Sequence, residues 1–127
     1  MEKRLNKEEV EKIVDDLGID YNEFWVLSTG SLVLRGLYPD AGDVDISVTE
    51  KGLDELKSKY NLILKDNGWY IVNDKVECVL DTKDDSKVEK FGKYNLQSVE
   101  EYYNFMISAN REKDKKKIEI LKEYLNK

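Results

Sequence analysis

Histidine is absent from this 127-residue chain, cysteine and proline occur once each, and no apolar run approaches the roughly 20 residues that span a bilayer. Without imidazole, no Ser-His-Asp or Cys-His nucleophile can be built. With a single thiol besides, a zinc site lacks both of its usual ligand types. Cys78 has no partner for an internal disulfide, and within the apolar run VECVL it reads as an inert buried thiol. Basic residues are also in the minority, 21 Lys and Arg against 27 Asp and Glu, a formal charge of −6. That excludes a broad basic surface of the kind that coats nucleic acid. No basic-then-apolar leader pattern is visible, so a cytoplasmic protein without membrane attachment is expected.

What remains for chemistry is carboxylates, lysines, arginines, hydroxyls and the backbone. Carboxylates without imidazole or thiolate favour hard cations such as Mg²⁺ or Mn²⁺. Forty per cent apolar residues suffice for one core, and the length suits one domain.

Along the chain, Asn6 with Glu9 is a capping-box pair opening a helix over about 6–17, whose stripe is Val10, Ile13, Val14 and Leu17; Gly18 is placed to end it. Strand one is expected over about 24–28, helix two over 31–37 and strand two over 43–48. Thr49 or Lys51 opens a short helix with Leu53 and Leu56 on one side. A short strand at 61–65 precedes a hairpin of 69–72 and 76–80 around Asn73-Asp74-Lys75. Residues 82–95, charged and aperiodic, read as a loop. Ser98 with Glu101 caps a helix to about 108, and Asn110 is placed to cap a last helix carrying Ile118, Leu121 and Leu125. The expected fold is α/β (α+β): a mixed sheet of four to five strands covered by helices. It divides into an N-terminal helix (1–18), a sheet core (24–81) and a C-terminal helical pair (98–127).

The stretch FWVLSTGSLVLRGLYPDAGDVDISV, residues 24–48, organises the rest. Gly30 and Ser31 lie where a strand feeds a helix, so free N–H groups and the positive helix end face outward. Asp43 and Asp45 are two apart on a strand, so both carboxylates leave one face. Alone, such a pair reads as a polar strand edge facing solvent. Behind a glycine turn it reads as a cation site beside an anion cradle.

That order, Gly30-Ser31, then Asp43-Val44-Asp45, then a carboxylate on a later strand, resembles the nucleotidyltransferase-fold superfamily, in particular its small, minimal members. The later carboxylate is Glu77 or Asp81 in KVECVLD; Glu77 is preferred because it is embedded in the strand, whereas Asp81 suits the strand end. Ser98 to Tyr103 and Arg111-Glu112-Lys113-Asp114 are similar to a helical segment of uncharacterised bacterial and phage members. The resemblance covers most of the chain from Phe24, the loop excepted. It implies transfer of a nucleoside monophosphate from an NTP to a hydroxyl of unknown origin: an RNA end, a protein or a small molecule. It further implies that Asp43, Asp45 and Glu77 hold two Mg²⁺ or Mn²⁺ ions and that Glu77 helps deprotonate the acceptor. Gly30 and Ser31 would hold phosphates, and Arg111 and Lys113 would neutralise triphosphate charge. A homodimer or partner chain could complete so small a pocket, and the acidic balance disfavours an extended nucleic-acid footprint. The alternative is a catalytically inactive module of the same fold that binds nucleotide or a partner protein; a third reading is a structural adaptor with an acidic patch. Arg35 is expected in a surface salt bridge, Asp114 in a structural role, and the tryptophans and most tyrosines in the core or its rim.

Overall fold

The computed structural model describes residues 4–126; residues 1–3 and 127, parts of the expected first and last segments, lie outside it. Its elements are α1 (Lys7–Asp16), a 3-10 turn (Tyr21–Glu23), β1 (Phe24–Val26), α2 (Ser28–Arg35), β2 (Val44–Val48), α3 (Glu50–Lys59), β3 (Ile63–Leu64), β4 (Tyr70–Ile71), β5 (Val76–Leu80), β6 (Val88–Phe91), β7 (Tyr94–Gln97), α4 (Val99–Ala109), a second 3-10 turn (Glu112–Asp114) and α5 (Lys115–Leu125). The described residues therefore form a mixed α/β structure with five α-helices and one mixed sheet.

The capping chemistry accounts for several boundaries. Asn6 and Glu9 form the reciprocal box at the start of α1, and Gly18 follows its end with φ +68°. Thr49 caps α3 through the Gly52 N–H. Ser98 accepts from the Glu101 N–H at α4, but the Glu101 carboxylate turns to the Gln97 amide, so only half of that box forms. Asn110 ends α4 in the left-handed conformation (φ 49°, ψ 47°) instead of opening α5, which starts from the 3-10 turn. Helix α2 begins three residues before the expected position 31, directly off β1.

The sheet has seven strands in the order β3-β4-β5-β2-β1-β7-β6, not four to five. β2 is antiparallel to β1 and parallel to β5; β1 is parallel to β7; the two flanking hairpins are antiparallel. The extra strands come from 88–97, most of it expected as loop. β6 is a polar edge strand, and β7 is buried along its whole length although it carries Asn95 and Gln97. Each of those amides is satisfied: Asn95 donates to the Tyr21 carbonyl at 2.8 Å, and Gln97 Oε1 accepts the Ser28 N–H at 2.8 Å. A two-residue turn, Gly92-Lys93, with Gly92 at φ +61°, closes the hairpin.

One core lies between the sheet and α1, α2 and α3 and includes Val10, Val14, Val33, Val44, Ile46, Leu56 and Cys78. A second joins α2 to the C-terminal helices through Leu32, Tyr102, Met106 and Leu121. Trp25 and Cys78 are fully buried, and burial pushes the Cys78 thiol up to about 11. Among the described residues no helix is long and apolar enough to cross a membrane.

Candidate active site

The strand β2 alternates. Val44, Ile46 and Val48 enter the core, and Asp45 takes the opposite side of the pleat, with Asp43 just before the strand. The parallel register sets the two later carboxylates apart: Asp45 stands opposite Glu77, whereas Asp81 follows the far end of β5, beyond the Val48–Leu80 pair. At about 3.3 Å per residue, Asp81 is on the order of 13 Å further along. There it lines a separate hollow with Glu23, Thr49 and Glu50.

Asp43 is exposed and Asp45 half-buried. Burial, then the negative charges of Asp43 and Glu77, push the Asp45 carboxyl up to about 6, with Lys65 opposing. Glu77 meets the Lys65 ammonium at 2.9 Å. Among the described residues no three His, Cys, Asp or Glu side chains converge as a ready-made metal site. By chemistry the nearby oxygen donors are of the kind a hard divalent cation takes: Asp43 just before β2, Asp45 on it and Glu77 on the adjacent β5, with Asp43 and Glu77 both raising Asp45. Lys65 has to release Glu77 for all three to serve such a cation.

The start of α2 forms the second wall. Ser28, its first residue, has φ +54°, uncommon for a side chain larger than glycine, and its N–H is taken by Gln97. The N-cap residue, Leu27, offers no side-chain acceptor, and the first-turn amides of Thr29 and Gly30 have no helical acceptor. Gly30 lines the cleft as expected. Ser31 does not: it is fully buried and its hydroxyl donates to the Ser28 carbonyl at 2.6 Å, which ties the turn rather than offering a ligand.

The third wall comes from the C-terminal segment. Asp114, with a side chain 0 % exposed, accepts from Arg111 Nε at 2.7 Å, and its other oxygen faces the Lys117 ammonium at 3.4 Å without a hydrogen bond. Lys117 is only 12 % exposed and donates to the Thr29 hydroxyl at 2.9 Å and to Tyr102 at 3.2 Å. One buried carboxylate thus faces two cations that line the cleft, and one of them, Lys117, reaches the start of α2.

These walls enclose a cleft of about 510 Å³ lined by, among others, Thr29, Gly30, Asp43, Asp45, Arg111, Lys113 and Lys117, with Arg4 at its edge. The fold brings Gly30, Asp43, Asp45, Arg111 and Lys113 to one place, sets Glu77 beside Asp45 outside the lining, and takes Ser31 away. Lys117, Thr29 and Tyr102 carry no motif. Lys117 sits in a run of lysines that reads as a solvated face; its position three residues after Asp114 is the signal that pairs them. Arg35 is not in the cleft and not on the surface. Its side chain is 4 % exposed, and it donates to Glu89 at 2.6 Å and to the Gln97 carbonyl at 2.9 Å, pinning α2 to the β6–β7 hairpin.

No protein-family model matches the chain, and neither a curated protein nor a solved structure matches it significantly.

Proposed function

We propose that this chain is a minimal nucleotidyltransferase-fold enzyme that moves a nucleoside monophosphate from an NTP to a hydroxyl acceptor. One observation carries the reading. A carboxylate pair, Asp43 and Asp45, faces a cationic wall of Arg111, Lys113 and Lys117 across a cleft that the start of α2 also enters. A ligand that satisfies all three walls carries several negative charges and brings a cation with it, which describes a metal-bound triphosphate.

In this reading Asp43, Asp45 and Glu77 hold Mg²⁺ or Mn²⁺. Bound there, the ions supply charge neutralisation at the α-phosphate and make the acceptor hydroxyl easier to ionise. The chain's own groups do the rest. The Thr29 and Gly30 amides and Lys117 fix phosphate oxygens, while Arg111 and Lys113 neutralise the departing pyrophosphate. Glu77, once Lys65 releases it, helps to take the acceptor's proton as the acceptor oxygen bonds to the α-phosphorus and the bond from that phosphorus to the α–β bridging oxygen breaks. Asp114 orients two cations, and Ser31 shapes the turn. Catalysis by positioning and charge suits a site without histidine.

The test is thermal stability with Mg²⁺ or Mn²⁺ and each NTP, for the native protein and for Asp43→Asn/Asp45→Asn. A ligand at about 100 times its dissociation constant adds about 2.7 kcal/mol to the folded state. A metal-dependent rise with at least one NTP, lost in the double variant, is expected; no rise under any condition overturns the reading. The Glu77–Lys65 ion pair favours a second reading, an inactive nucleotide-binding module. Release of pyrophosphate from an NTP that binds separates the two.

A further inference from the structure

Next to two of the residues that line the cleft, α4 presents an aromatic shelf. Phe105 is 51 % exposed, a large apolar area for a position beside so polar a pocket. It is not a stray surface residue, because both of its neighbours belong to the cleft. The Tyr102 ring lies nearly parallel to it (18°, centroids 6.4 Å apart), and the Arg111 guanidinium sits 5.3 Å from the ring centre. Each neighbour is fixed from behind. Tyr102 is buried and its hydroxyl is held by Lys117; Arg111 is held by the fully buried Asp114. The shelf is therefore rigid where it joins the cleft and open where it leaves it.

We infer that this shelf receives a nucleobase. The Arg111 guanidinium lies over the Phe105 ring, and the half of the ring left exposed suits a flat, polarisable heterocycle, which stacks on an aromatic face and is drawn to the neighbouring cation. Charge supplies the address: the cations that adjoin the shelf hold phosphate, and a base linked to that phosphate is the planar group within reach. The base belongs either to the NTP or to the end of a nucleic-acid acceptor. The inference rests on the phosphate-binding reading of the cleft and adds what the cleft walls lack, a means of preferring a nucleotide over bare polyphosphate.

Calorimetric titration of the full chain in Mg²⁺ tests it, with inorganic tripolyphosphate, the four α,β-methylene NTP analogues and a six-nucleotide single strand as ligands. At least one analogue is expected to bind about tenfold more tightly than tripolyphosphate, Phe105→Ala to remove that advantage, and Phe105→Trp to keep it. Tripolyphosphate affinity is expected to be unchanged in both variants. If Phe105→Ala weakens only the single strand, the shelf serves the acceptor's base and the inference stands. If the variant binds every base-bearing ligand as the native protein does, the shelf is overturned while the phosphate site stands. Phe105-dependent binding that survives Asp43→Asn/Asp45→Asn and omission of Mg²⁺ keeps the shelf and overturns the metal-dependent reading. No binding of any ligand overturns both.

Discussion

Asp15 and Asp45 are both carboxylates at the boundary of the same core, and their environments push them in opposite directions. Burial alone would raise Asp15, but it accepts from Tyr21 at 2.6 Å, Tyr94 at 3.1 Å and Lys93 at 3.1 Å, and these donors hold it below its usual range. Asp45 meets burial and two like charges, and it is raised. Asp15 is a joint: it ties α1 to the 3-10 turn and to β7, and the fold gains from its charge. Asp45 is a cost that the fold carries, and a charge held at a cost in a cleft is where a ligand cation is to be sought.

The comparison can be broken in order of effect. Asp114 is a joint inside the site, so Asp114→Ala strands two cations. It is expected to cost about 2–4 kcal/mol, less than the full loss for a wholly buried pair because Arg111 and Lys117 face the cleft. A fall in the midpoint of urea unfolding checks this, and nucleotide affinity should fall with it. Asp15→Asn is expected to cost about 1–2 kcal/mol, because a charged acceptor for three donors becomes a neutral one. Asp45→Asn is expected to do the reverse. Without divalent ions at pH 7 it should stabilise by about 1 kcal/mol, after discounting for the solvent that reaches this half-buried group.

The pH dependence separates the two carboxylates. A raised folded-state value means that the folded protein binds the Asp45 proton more tightly than the unfolded chain does. Its ionisation therefore removes stability as pH rises from about 4 to about 6. A lowered value makes Asp15 stabilising above about pH 4, with that contribution lost as pH falls further. Metal-free stability followed from pH 3 to 7 should lose its upper slope in Asp45→Asn and its lower slope in Asp15→Asn. The smallest effect is at Ser28. At its φ of +54°, Ser28→Gly should shift stability by no more than about 0.5 kcal/mol, where a strand or helix interior would lose about 0.5–1. A larger loss would mean that the side chain, not the backbone, shapes the turn.

Sequence periodicity served best where one principle ruled. The α1 box, the Thr49 cap and the β4–β5 hairpin are local, and the alternation of β2 carries Asp43 and Asp45 to one side. It failed where distant partners override local character. β7 places Asn95 and Gln97 in the interior, which a polarity pattern rejects, and only Tyr21 and Ser28, some 70 residues away, make them acceptable. Arg35 makes the salt bridge expected of it, but with its own side chain buried, since both acceptors lie on that unforeseen hairpin. Of the motif residues, Gly30, Asp43 and Asp45 come together in one cleft, while Lys117, Thr29 and Tyr102, which support it, carry no motif. Ser31 could be a ligand or a tie until its hydroxyl was seen on Ser28, and Lys117 is one lysine among several until Asp114 and Thr29 select it.

Cys78 offers a clock. Its thiol is fully buried in mid-sheet between Ile46 of β2 and Tyr70 of β4, one residue from Glu77. A labelling reagent reaches it only when the core around those strands opens, and the raised thiol value slows attack further. The chain has no second cysteine to confuse the signal. The rate of alkylation therefore counts openings of the core packed on the strand pair that carries Asp45 and Glu77. Any ligand that ties β2 to β5 should lengthen the interval between them, whether or not its chemistry is known.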